Sequence, residues 1–62
     1  IEFLNTVRIR NAKVFLENDI ISLKDISSEV GFNNYHYFFK VFKNIVGVTP
    51  VKYRKDLKQR IR

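Results

Sequence analysis

His36, Lys40 and Lys43 recur at i, i+4 and i+7, so a helix over this stretch gathers an imidazole and two ammonium groups on one face. Tyr37 and Asn44 flank that face on one side and Phe39 on the other. Such a set can donate and accept hydrogen bonds, place positive charge, and press aromatic edges against a ligand. Catalysis has little foothold. His36 is the only histidine and the chain has no cysteine, so a His/Cys metal site has no second ligand. No Ser-His-Asp order, glycine-rich phosphate loop or paired-carboxylate pocket can be assembled either. The expected chemistry is recognition, with no catalytic residue, metal or cofactor.

The charge balance says what kind of surface is recognised. Twelve Lys and Arg stand against six Asp and Glu, giving +6 at neutral pH and a pI near 10.0. That favours DNA, RNA or an acidic membrane surface; the bland alternative is a soluble domain that is merely basic. Sixty-two residues make one domain, which buries only about 60% of its unfolded surface and is marginal in stability. Without disulfides, six Phe and the other apolar residues must supply the core. The lack of cysteine fits a reducing, cytoplasmic setting. No segment reaches the ~18 consecutive apolar residues of a membrane span. The start, from Ile1 to Asn5, lacks a basic region and a cleavage site, so it does not read as a signal peptide; with no initiator Met, the chain is expected to be a piece of a larger protein.

Four helices account for nearly every residue. The first is expected over 1–17, with Ile9, Ala12, Phe15 and Leu16 on one apolar face. Phe3, Val7 and Val14 fall on a different side, so this helix bridges two packing partners. Asn18 and Asp19 end it. Ser22 is the expected N-cap of a second helix over 23–30, with Asp25 favouring its positive end and Leu23, Ile26 and Val30 inward. Gly31 stops that helix where the chain takes positive φ. Asn33 or Asn34 caps a third helix running to Val46, whose stripe Phe38, Val41, Phe42 and Ile45 is buried. Gly47 ends it. Thr49-Pro50 starts a fourth, with Tyr53, Leu57 and Ile61 inward.

A short helix, a glycine turn and a second helix with a wet basic face have the grammar of a helix-turn-helix, which seats one helix in the DNA major groove. Ser27 provides the small residue where the helices cross, and Gly31 the turn. The fold class expected is all-α, a homeodomain-like helix-turn-helix of about four helices. Its segments are a joining helix over 1–17, the helix-turn-helix over 22–46 and a C-terminal helix over 49–61.

More specific motifs appear in fixed order: Ile26-Ser27-Ser28-Glu29-Val30-Gly31-Phe32, then Tyr37-Phe38 and Phe42-Lys43, then Gly47-Val48-Thr49-Pro50 and Tyr53-Arg54. With the upstream Leu4-Asn5-Thr6-Val7-Arg8-Ile9, Ala12 and Leu16, they resemble the AraC/XylS family of bacterial transcription regulators from Phe3 to Arg54. Ser27 stands where that family usually has Ala. The resemblance implies two helix-turn-helix units joined by a long helix, of which this chain matches the joining helix and the second unit. Phe3 and Val7 would then pack on the missing first unit, leaving an exposed apolar patch that drives self-association.

The resemblance also implies that Tyr35, His36, Tyr37, Phe39 and Lys40 face the groove; the helical projection by itself supports His36, Lys40 and, less directly, Tyr37. Phe39 either meets DNA or folds back onto the core, and Tyr35 faces the same choice. Phosphate contacts are expected at Ser22 and Leu23, where helix two begins, and at Lys24 and Lys43. Tyr53 is expected in the core and Arg54 in an ion pair or near a phosphate. Double-stranded DNA is the expected partner, with the missing first unit, a regulatory domain and RNA polymerase as further candidates. The competing function is a protein-interaction module docking through Phe3, Val7 and Val14 without DNA specificity of its own. A membrane-surface bundle fits poorly, since helix four has a modest apolar stripe and the chain no Trp.

Overall fold

A computed structural model describes residues 2–18 and 20–61 of the chain. Four helices follow one another: α1 (Glu2–Leu16), α2 (Leu23–Glu29), α3 (Tyr35–Val46) and α4 (Pro50–Ile61). Their bounds differ from the expected ones by a residue at several ends. α1 closes at Leu16 because Glu17 and Asn18 bond back only three residues, to Val14 and Phe15, tightening the last turn. Val30 is the C-cap of α2 rather than its last helical residue. Asp19, expected to help end the first helix, lies outside the described residues.

Each start has its cap. Ser22 Oγ accepts from the Asp25 backbone N–H at 3.1 Å, and Thr49 Oγ1 from that of Lys52 at 3.2 Å. Between the two asparagines, Asn34 caps α3, its Oδ1 accepting from the Tyr37 N–H at 3.0 Å. The turn after α2 is closed by two reversed bonds, from Gly31 N–H to Ser28 and from Phe32 N–H to Ser27. That geometry needs φ of +109° at Gly31, a region glycine enters without a Cβ penalty.

α2 has seven residues, far too few to persist alone in water. Packing holds it. Ile9, Ala12 and Leu16 of α1 meet Ile26 of α2, its C-cap Val30, Phe32 of the turn, and Phe38 and Phe42 of α3. α1 touches all three other helices, which makes it the strut of the domain. Ser27, 3% exposed, fits the crowded crossing because it is small and its hydroxyl donates to the Lys24 carbonyl at 2.8 Å.

An aromatic spine runs through this core. Phe32 meets Phe38 at 5.3 Å between ring centroids, Phe38 meets Phe42 at 5.9 Å, and Phe42 meets Tyr53 of α4 edge-on at 5.6 Å. Phe38 and Phe42 have no exposed surface. Truncating either would cost roughly 3–5 kcal/mol, against a total stability on the order of 3–9 kcal/mol for a domain this size.

One expectation is corrected, and the ion-pair half of another. Ile45, expected in the buried stripe of α3, is 43% exposed; Val46 packs against the core instead. α4 turns back over Phe42, and no described element closes over the flank where Ile45 stands. Arg54 makes no ion pair among the described residues. Its guanidinium donates to three backbone carbonyls, of Leu16 (3.3 Å), Asn18 (2.8 Å) and Ile21 (2.7 Å). A cation thus satisfies the orphan acceptors at and beyond the C-terminal end of α1. Tyr53 is half-buried against the core, as expected; Leu57 is half-buried, and the Ile61 side chain lies outside the described residues.

Candidate nucleic-acid interface

The inner side of α3 is held by Phe38 and Phe42, so the residues opposite them must face solvent. His36, Lys40, Lys43 and Asn44 are exposed there. The helix carries no acidic residue to oppose the two lysines. Tyr37, Phe39, Lys40, Val41, Lys43 and Asn44 line a shallow, open depression along this surface. The structure therefore gathers four of the five expected base-reading positions, His36, Tyr37, Phe39 and Lys40, on or beside one basic face.

Tyr35 is set differently. It is half-buried and packs against the core. Its ring lies 6.0 Å from His36, 6.3 Å from Phe38 and 6.2 Å from Phe39, the last edge-on. Phe39 is half-buried beside it. The two aromatics whose role the projection leaves open therefore shield one another, which removes much of the penalty of an apolar ring on a wet helix.

The expected phosphate contacts sit at two separate places. Lys43 belongs to the α3 face, while Ser22 and Lys24 are exposed at the start of α2. Leu23 is half-buried against the core. Ser22 already occupies the Asp25 N–H, and Asp25 itself adds negative charge in the first turn. A phosphate at that end would rest on Lys24 more than on the helix terminus.

Residues of α1 also enter the site. Asn5, 9% exposed, donates from Nδ2 to the Tyr37 hydroxyl at 3.2 Å. The Arg8 guanidinium carbon lies 5.6 Å from the Phe32 ring centroid, within cation–π range. Neither residue is among the expected site positions. A signal exists for Asn5, which falls in register with Ile9, Ala12 and Leu16 at i, i+4, i+7 and i+11. A polar residue on the inward stripe must find a partner. Arg8 stands beside that stripe and offers no comparable sign.

The face of Phe3, Val7 and Val14 is turned away from the core. Phe3 is 80% exposed and Val14 64%, with Val7 half-buried between them. This matches the expected apolar patch.

Comparison with known proteins places this geometry. A family model described as a helix-turn-helix domain matches residues 1–56. The chain is 39% identical over 56 residues to the Msm operon regulatory protein of Streptococcus mutans, covering 90% of this chain and 20% of that protein. It is 33% identical over 60 residues to the HTH-type transcriptional regulator YisR of Bacillus subtilis, covering 97% and 21%. It is 36% identical over 53 residues to the HTH-type transcriptional activator RhaR of Escherichia coli, covering 86% and 19%. The chain thus spans about a fifth of the length of these relatives. No solved structure matches it. Two helices joined by a glycine turn, a basic outer helix and this family match agree: the chain belongs to the AraC-type helix-turn-helix family and is a DNA-binding module of a transcription regulator.

Proposed function

We propose that α3 enters the major groove of double-stranded DNA with its N-terminal half against the base edges. His36 and Lys40 are the principal readers: Lys40 donates to guanine O6 or N7, and His36 donates or accepts. Tyr37 and Phe39 flank them, with Tyr35 behind Phe39. Lys43 and Lys24 meet phosphates, supported by Ser22 and the backbone at Leu23. The observation that carries this reading is the division of α3 between Phe38 and Phe42, without exposed surface, and a solvent face bearing His36, Lys40 and Lys43.

The module is the second of two such units in its parent regulator, with α1 as the joining helix. That the chain spans about a fifth of the relatives' length supports its being a piece of a larger regulator, and the exposed apolar face of α1 supports a neighbouring unit packed on that helix. The Phe3, Val7 and Val14 face then receives the first unit, so it complements DNA binding rather than replacing it. RNA polymerase is a further partner of the whole regulator. Among the described residues no helix is long and apolar enough to cross a membrane.

The reading is tested by measuring affinity for a duplex enriched from a random pool and for its scrambled counterpart. Lys40→Ala and His36→Ala should each reduce the ratio between the two by about tenfold, the discrimination of one good base contact. An equal loss on both duplexes would assign these residues to phosphate. No salt-dependent binding at all would remove the DNA reading, because charge-driven association must weaken as salt rises.

A further inference from the structure

Asn5 and Tyr37 are 32 positions apart and lie on different helices, yet the Asn5 Nδ2 stands 3.2 Å from the Tyr37 hydroxyl oxygen. An amide N–H can only donate, so the phenol oxygen is the acceptor in this bond. The phenol's own proton is left over, and the hydroxyl makes no other hydrogen bond among the described residues. Tyr37 is 47% exposed and its ring is wedged edge-on against Phe32 at 5.8 Å. Asn5 is 9% exposed and sits in line with the buried Ile9, Ala12 and Leu16.

We propose that Asn5 is a positioning residue that commits the Tyr37 hydroxyl to donation, so that Tyr37 recognises an acceptor atom on the bound duplex. This rests on the reading that α3 faces DNA. The partners allowed are guanine O6 or N7, adenine N7, thymine O4, or a phosphate oxygen. The amino groups of cytosine and adenine only donate, so they must compete with Asn5 for the phenol oxygen and are disfavoured. α1, which has no reader of its own, thereby selects the kind of edge that α3 accepts.

Asn5→Asp tests this with almost no change of shape. A carboxylate accepts where the amide donated, so the Tyr37 O–H donates to it and is withdrawn from the duplex. Affinity is measured by fluorescence anisotropy for an enriched duplex and its scrambled form, with folding checked by circular dichroism. Asn5→Asp should weaken binding about fivefold, Tyr37→Phe should weaken it equally, and Asn5→Asp should add nothing in the Tyr37→Phe background. Loss on the enriched duplex alone assigns the proton to a base edge; loss on both assigns it to a phosphate. Either result supports the inference.

Wild-type affinity for Asn5→Asp would overturn it. So would an undiminished effect in the Tyr37→Phe background, which a merely structural Asn5 would give. Should Asn5→Asp fail to fold, Tyr37→Phe decides, and unchanged affinity overturns the inference. If the unaltered chain binds no duplex, the DNA reading falls and this inference with it. Binding with unresponsive variants overturns the inference alone.

Discussion

The guanidinium of Arg54, on α4, donates to the backbone carbonyl of Ile21, in the loop that leads into α2, at 2.7 Å. Two more of its bonds reach Leu16 and Asn18, so one side chain closes the end of α1 and fixes the path to α2. Arg54→Ala should therefore destabilise the domain by about 2 kcal/mol, with each charged bond discounted for partial exposure. For a domain of this size that lowers Tm by roughly 10 °C. Arg54→Lys should recover only part, because an ammonium lacks the planar fork that serves three acceptors. Thermal melts followed by circular dichroism check both; a Tm unchanged by Arg54→Ala would refute the clamp.

Gly31 and Gly47 separate two costs that glycine replacement usually mixes. Both have φ near +100°, and a Cβ at Gly47 meets nothing within 4 Å. Gly47→Ala should cost about 1–2 kcal/mol from the backbone alone. At Gly31 the new Cβ would lie 2.8 Å from Arg8 Nε and push the guanidinium away from Phe32. Gly31→Ala should exceed Gly47→Ala by about 0.5–1 kcal/mol, the worth of an exposed cation–π contact. In an Arg8→Ala background that difference should vanish, as read by urea denaturation.

Asn33 and Asn34 look interchangeable in sequence, but only Asn34 receives the Tyr37 N–H. Asn34→Ala should cost about 1 kcal/mol and loosen the turn that carries His36 and Tyr37. Asn33, exposed in the turn, should tolerate Ala within about 0.5 kcal/mol. Equal midpoints in urea for the two variants would contradict the assignment of the cap.

Lys43→Ala should weaken enriched and scrambled duplexes alike, since a lysine on phosphate carries no sequence information. The slope of log affinity against log salt should fall in magnitude by about 0.9 for each phosphate that Lys43 neutralises. An unchanged slope would leave Lys43 as a solvated charge.

The helices, their order, the two glycine stops and most of the core are legible in the sequence. Each depends on local signals: apolar residues at helical spacing, capping side chains, and glycine where φ must be positive. The basic face of α3 is legible for the same reason, because burying Phe38 and Phe42 obliges His36, Lys40 and Lys43 to point outward.

Tertiary packing alone decided the rest. Ile45 fits the buried stripe by angle, but burial needs a neighbouring element, and none described covers that flank. Tyr35 and Phe39 are placed by each other, a contact that the projection of a single helix leaves open. Arg54 reads in the sequence as a charge in search of an anion. The fold brings it instead to three carbonyls more than thirty positions away, where unpaired acceptors at a helix end attract a cation as a carboxylate would. Asn5 and Tyr37 follow the same logic. The spacing of Asn5 with Ile9, Ala12 and Leu16 puts a polar group on an inward face; the meeting of α1 and α3 supplies the group that satisfies it.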